Sequence, residues 1–128
     1  MALPAIWNGW VLWEGDEVDQ VFRIATNERD ADGKRLGEDL SQTPFGKAEI
    51  RAKYDDDEPM ATFTVTVLDQ SDPATRGQVR LQLPVSEADK LRAGVAYWDV
   101  QLAKNEQGLG RRTRIAGKMK IKNQATFG

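Results

Sequence analysis

Neither cysteine nor histidine occurs anywhere in the sequence. The first absence excludes disulfides, thiolate metal sites and cysteine nucleophiles, and is compatible with any redox compartment. The second excludes imidazole ligands and histidine-based proton transfer. Together they remove most familiar enzyme mechanisms. No apolar run approaches the roughly 18 residues of a membrane span, and the opening "MALPAIWNGW" lacks the basic region of a secretory signal, so a soluble chain needing no processing is expected. Charge of one sign is also missing: 18 Lys and Arg face 20 Asp and Glu, a net charge of -2. No strong overall field would gather nucleic acid or an anionic membrane around the protein, and neither is expected as a partner.

What is present is strand periodicity. The 128 residues suit one domain. "WVLW" (10–13) precedes a Gly15-Asp16 turn, after which Val18, Gln20, Phe22 and Ile24 alternate with Asp19, Val21, Arg23 and Ala25. Residues 27–46 are rich in charge and turn formers, with Leu36, Leu40 and Phe45 as apolar anchors, and read as a long surface connection. Strand character resumes in "KAEIRAKY", with Ala48, Ile50, Ala52 and Tyr54 on one face, and continues after the "DDDEP" turn in "MATFTVTVLD". In "QVRLQLP", Val79, Leu81 and Leu83 point one way and Gln78, Arg80 and Gln82 the other. Ser86 with Asp89 predicts a short capped helical turn. "GVAYWDVQL" places Ala96, Trp98, Val100 and Leu102 on one face. After the connection "AKNEQGLG", Thr113, Ile115, Gly117, Met119 and Ile121 alternate with a basic face of Arg112, Arg114, Lys118, Lys120 and Lys122.

About seven short strands, one helical turn and no βαβ rhythm predict an all-β, immunoglobulin-like antiparallel β-sandwich, a small closed barrel being the rival architecture. Residues 1–13 read as an apolar arm and first strand, 14–122 as the sandwich, and 123–128 as a tail.

The residues that might carry chemistry are few. Asp55, Asp56, Asp57 and Glu58 form the densest acidic cluster, without the spacing of a calcium loop, and read as a solvated turn ahead of an opportunistic cation site. The basic face of the last strand reads as edge protection by lysine or a protein-facing polar patch, ahead of a phosphate-backbone contact. Three indoles in seven residues exceed what one strand buries on one face. Trp13 is assigned to the core; Trp7 and Trp10 are either a flap over the open end of the sandwich or an anchor for a neighbour. Asp99, a residue strands usually avoid, lies opposite Trp98 with no attending histidine or carboxylate motif. It is expected to accept hydrogen bonds from the basic last strand.

The segment "GQVRLQLP…SEADKLRAGVAYWDVQL" resembles a pattern in small β-sandwich virion proteins of tailed bacteriophages and prophages, similar to the N-terminal immunoglobulin-like domain of baseplate upper proteins. Gly77, Val79, Leu81 and Leu83 match its Gly-x-Val-x-Leu-x-Leu strand. Gly94, Ala96, Trp98, Asp99, Val100, Gln101 and Leu102 match the strand after its helical turn. Gly15-Asp16 with Phe22 and Ile24, "EDLS" at 38–41, Ala48 with Ile50-Arg51, and "AGKMKI" at 116–121 fall where such proteins have similar features. The N-terminal tryptophan segment is longer than in that pattern and the last strand more basic.

The resemblance implies a virion location, synthesis in the bacterial cytoplasm, and a non-enzymatic structural and assembly role in tail, baseplate, fibre attachment or head. Partners would be other virion proteins and further copies of this chain, contacted through Ile6, Trp7, Trp10, Arg112, Arg114, Lys118, Lys120 and Lys122. No catalytic residue, metal or cofactor is expected. The alternative is a carbohydrate-binding or adhesin-type module using Trp7, Trp10 and Tyr54 or Tyr97 as a stacking platform.

Overall fold

The computed structural model describes residues 4–123. Its elements run β1 (Ala5–Ile6), β2 (Trp10–Trp13), β3 (Val18–Arg23), β4 (Ala25–Arg29), β5 (Arg35–Gly37), β6 (Phe45–Arg51), β7 (Ala61–Val67), β8 (Gln78–Leu83), α1 (Val85–Ala88), β9 (Gly94–Ala103) and β10 (Arg112–Lys122). The fold is an all-β sandwich with one short helix. Alternation decides which side of each strand faces inward: Val79, Leu81 and Leu83 of β8, Ala96, Trp98, Val100 and Leu102 of β9, and Ile115, Met119 and Ile121 of β10 are all buried.

Eight strands form one curled sheet in the order β1-β10-β9-β6-β7-β8-β3, with β2 also on β10. The curl is made by β7. Its first half, Ala61 to Phe63, pairs with Ile50 to Ala48 of β6, and its second half, Thr64 to Val67, with Gln82 to Val79 of β8. The strand thus leaves one layer and joins the other, and the two layers close on a shared core. The neighbours β3-β8-β7 and β6-β9-β10 follow the order of strands B-E-D and C-F-G of an immunoglobulin sandwich. At the centre lies an aromatic cluster. Trp10 stacks on Phe63 at 5.4 Å and 7°, and meets Trp98 at 4.8 Å and Phe22 at 5.2 Å in crossed arrangements. Among the described residues the buried Trp98 indole N–H finds no acceptor atom.

Several expectations are corrected. In the N-terminal segment, read as an apolar arm and first strand, β1 and β2 both pair in parallel with β10, Ala5 opposite Ile115 and Trp10 opposite Met119. The sheet is therefore mixed rather than wholly antiparallel. Between β1 and β2 the chain kinks at Trp7-Asn8-Gly9 and crosses directly over Gly117, where a Cβ would sit 1.8 Å from the Trp7 carbonyl oxygen. Asn8 seals the kink by accepting the Lys118 N–H through Oδ1 at 2.9 Å. Since β10 is paired on both sides, it is no edge strand, and its lysines do not serve as edge protection. Residues 27–46 are not a bare connection either, because β4 and β5 form a two-stranded hairpin there. Pro84, not Ser86, caps α1, and the Glu87 carboxylate instead accepts the Thr62 N–H at 2.8 Å, tying the helix to β7.

Candidate functional site

The N-terminal kink sorts the tryptophans. Trp10 is 7 % exposed and belongs to the core, which removes it as an anchor for a neighbour: its ring is already enclosed by this chain. Trp13, assigned from sequence to the core, is 41 % exposed, because β2 directs Trp10 and Leu12 inward and Val11 and Trp13 outward. Lys122 lies over the Trp13 ring at 5.3 Å, a cation–π contact. Trp7 acts as the flap. Its ring packs on Trp10, Phe22 and Trp98 and remains partly exposed at the open end of the sandwich. Ile6 is left exposed beside Ala116.

The basic face of β10 is divided as well. Arg114 donates from Nη2 to both carboxylate oxygens of Glu38 at 2.7 Å and is occupied within the fold. Arg112, Lys118, Lys120 and Lys122 are exposed. Cross-strand register places Lys120 between Val11 of β2 and Val95 of β9, and Lys122 beside Trp13. One end of this outer sheet face thus carries Val11, Trp13 and Val95, all exposed, interleaved with lysine.

The other end of the same face is a groove of about 680 Å³, walled by Pro4, Ile6 and Asn8 and floored by β6, β9 and β10. Register sets the outer sheet face here in rows: Arg51, Tyr97 and Lys118; Glu49, Asp99 and Ala116; Lys47, Gln101 and Thr113, of which Glu49 and Lys47 lie outside the groove itself. Asp99 therefore looks not at the arginines and lysines of β10, as its sequence context suggested, but at Ala116 on one side and Glu49 on the other. Its ionic partner is Arg51 of β6, at 3.9 Å, and Gln101 Nε2 donates to it at 3.4 Å, both long. Arg51 is held chiefly by Glu49, at 2.8 Å. Burial pushes the Asp99 carboxyl above its ordinary value, the Arg51 charge only partly opposing it.

Tyr54, in the turn after β6, stands over this floor 83 % exposed and meets Tyr97 edge-on, ring centres 6.0 Å apart at 87°. The stacking platform proposed from sequence is thus split: Tyr54 and Tyr97 share the outer face, while Trp7 and Trp10 turn inward. The acidic turn is organised locally, Asp56 accepting the Lys53 N–H and its carbonyl accepting Arg51 Nε. Among the described residues no cluster of three or more acidic side chains is arranged to hold a metal ion. Glu49 was not singled out from sequence and Arg51 only within the resemblance; a glutamate and an arginine two residues apart on the side of the strand opposite Ala48 and Ile50 were the available signal.

No family model matches the chain and no curated protein does. Among solved structures it is similar to a family 123 glycoside hydrolase from Clostridium perfringens, at 12 % identity and a TM-score of 0.38. The match covers 94 % of this chain but only 23 % of that one. A likeness at this level carries no argument about activity.

Proposed function

We propose that the protein is a non-enzymatic structural and assembly component of a tailed-phage virion, working through protein–protein contacts. The observation that carries the reading is the outer face at the β2 end of the sheet. There Val11, Trp13 and Val95 are exposed side by side, with Lys118, Lys120 and Lys122 among them. Apolar anchors ringed by charge of one sign suit a partner surface with an apolar pocket and an acidic rim, the charges favouring encounter and register and the anchors supplying affinity. The contact residues shift accordingly from those read in the sequence. Ile6 and the three lysines stay, Trp13 replaces Trp10, and Arg114 is committed to Glu38.

The test is incorporation. Particles purified from a producing culture are probed for the protein and for a Trp13→Asp, Val95→Asp double variant. The variant is expected to stay folded, since both side chains are on the surface, and to be missing from particles. Absence of the unmodified protein from purified particles overturns the virion assignment. Normal incorporation of the double variant overturns the surface.

A further inference from the structure

We propose that the groove over β6, β9 and β10 is a binding site for a neutral saccharide, with Tyr54 and Tyr97 as its ring platform and Asp99, Gln101 and Arg51 as its hydrogen-bonding groups. The groove adjoins the assembly surface and shares Ile6 and Lys118 with it, but the inference is carried by Tyr54, Tyr97 and Asp99 and does not rest on that reading. Three observations point to it. The first is shape: Ala116, which sets only a methyl group opposite Asp99 on the outer face of β10, leaves a recess between Asp99 and the wall of Pro4 and Ile6. Its volume is ordinary for a small-ligand site.

The second is unspent hydrogen-bonding capacity. A carboxylate can accept about four hydrogen bonds. Asp99 receives one, long, from Gln101, while its side chain is only 25 % exposed. A desolvated and weakly partnered carboxylate beside an amide and a guanidinium is a set that vicinal hydroxyls satisfy, because each hydroxyl both donates and accepts.

The third is the combination of aromatic faces and low net charge. Tyr54 keeps a large ring in water, and Tyr97 presents a second ring at right angles to it. The negative face of an aromatic ring attracts the weakly positive C–H bonds on one side of a pyranose. Arg51 is taken up by Glu49 at 2.8 Å and by Asp99 at 3.9 Å, which leaves Lys118 as the one excess positive charge of the lining. A single exposed lysine is a weak site for a phosphate or polyanion. A peptide has no main-chain route in either, because β6, β9 and β10 are each paired on both sides.

The test is a titration of the full-length protein, followed by amide and side-chain NMR shifts, with maltotriose, lactose and chitotriose as neutral probes. Inorganic phosphate and a heparin oligosaccharide serve as anionic ones. At least one neutral sugar is expected to give saturable shifts centred on Tyr54, Tyr97, Asp99 and Ala116. Tyr54→Ala and Asp99→Asn should each weaken it at least tenfold, and Trp13→Ala should leave it unchanged. Tyr54 is nearly free of the fold, so its variant reports binding rather than folding. If no neutral sugar moves these signals, if an anionic probe binds there more tightly, or if both variants bind as the parent does, the proposal is wrong.

Discussion

Replacing Trp10 by alanine tests whether the N-terminal segment is part of the domain. The indole is 7 % exposed and lies within 5.4 Å, centre to centre, of the rings of Trp7, Phe22, Phe63 and Trp98. Truncating a buried tryptophan costs about 3–5 kcal/mol through lost burial and the cavity left behind. Each well-placed aromatic pair adds about 0.5–1.5 kcal/mol beyond area, so the upper end of that range is expected here. At about 3 °C per kcal/mol for a domain of this length, the midpoint of thermal unfolding should fall by about 10–15 °C. Trp13→Ala is the internal control. It removes the same side chain three residues along, but one 41 % exposed that meets Lys122 in a cation–π contact of about 0.5–1 kcal/mol. Calorimetry of the two variants beside the parent decides the matter. Equal shifts for both, or a larger one for Trp13→Ala, would refute the assignment of Trp10 to the core. By the same reasoning, deleting residues 1–10 should destabilise the domain rather than release a detachable arm.

Three further outcomes follow from the structure. Gly117→Val should lower stability by about 2 kcal/mol or more in urea unfolding, since its Cβ has no room beneath the Trp7 carbonyl, and proteolysis should then reach the N-terminal strand; an unaltered midpoint would mean that the crossing is not tight. Asp99→Asn should raise stability at neutral pH and not at acid pH. Burial holds the folded Asp99 carboxyl above 3.8, so the native chain binds the proton more tightly than the unfolded one, and stability is lost as pH rises through the folded value. Asparagine has no such loss, and the gap between variant and parent in chemical denaturation should widen from acid to neutral pH; a gap that narrows contradicts the burial argument. Changing Asp55, Asp56 and Asp57 together to asparagine should alter stability by no more than about 0.5 kcal/mol, and a larger loss accompanied by release of bound calcium would identify a cation site in that turn.

The strands most legible in the sequence were those with one wet face and one dry one. β8 and β9 read directly from their period of two because their inner residues are apolar without a break, while the outer ones are all polar in β8 and include Asp99 and Gln101 in β9. The β4–β5 hairpin was illegible for the opposite reason, being largely exposed. Its register is held by arginine bonds to main-chain carbonyls, Arg23 Nη2 to Arg35 and Arg29 Nη1 to Gly33, both at 2.7 Å, which leave no apolar alternation to read. "WVLW" was ambiguous because both its faces are apolar. Trp7 and Trp10, three apart, would point to opposite sides of a regular strand, and only the kink at Asn8-Gly9 lets both reach the core. The groove failed to appear for a third reason. Asp99 and Tyr97 were visible as outward residues, but Glu49 and Arg51 join them through the β6–β9 register and Tyr54 through the turn that follows β6, and nothing within either segment encodes that pairing.

The lysines of β10 show how one topological fact changes what a pattern means. On an edge strand they would guard unpaired backbone against stray pairing. Here β1 and β2 occupy that position, and the sheet ends instead in segments of two and four residues broken by the Asn8-Gly9 kink, a short edge that offers little template for another chain. At the far end, β3 carries Asp19 and Arg23, with Asp19 paired to Arg80 across the ladder. Both edges are thus protected without Lys118, Lys120 or Lys122. Burial of Ile115, Met119 and Ile121 accounts for the inner side of β10, and the lysines on its outer side make no contribution to closing the core. A face that sets three cations among Val11, Trp13 and Val95 fits recognition better than folding. Reversing the three charges should therefore leave the melting temperature within a few degrees of the parent while, under the proposed assembly role, altering the rate of incorporation into particles.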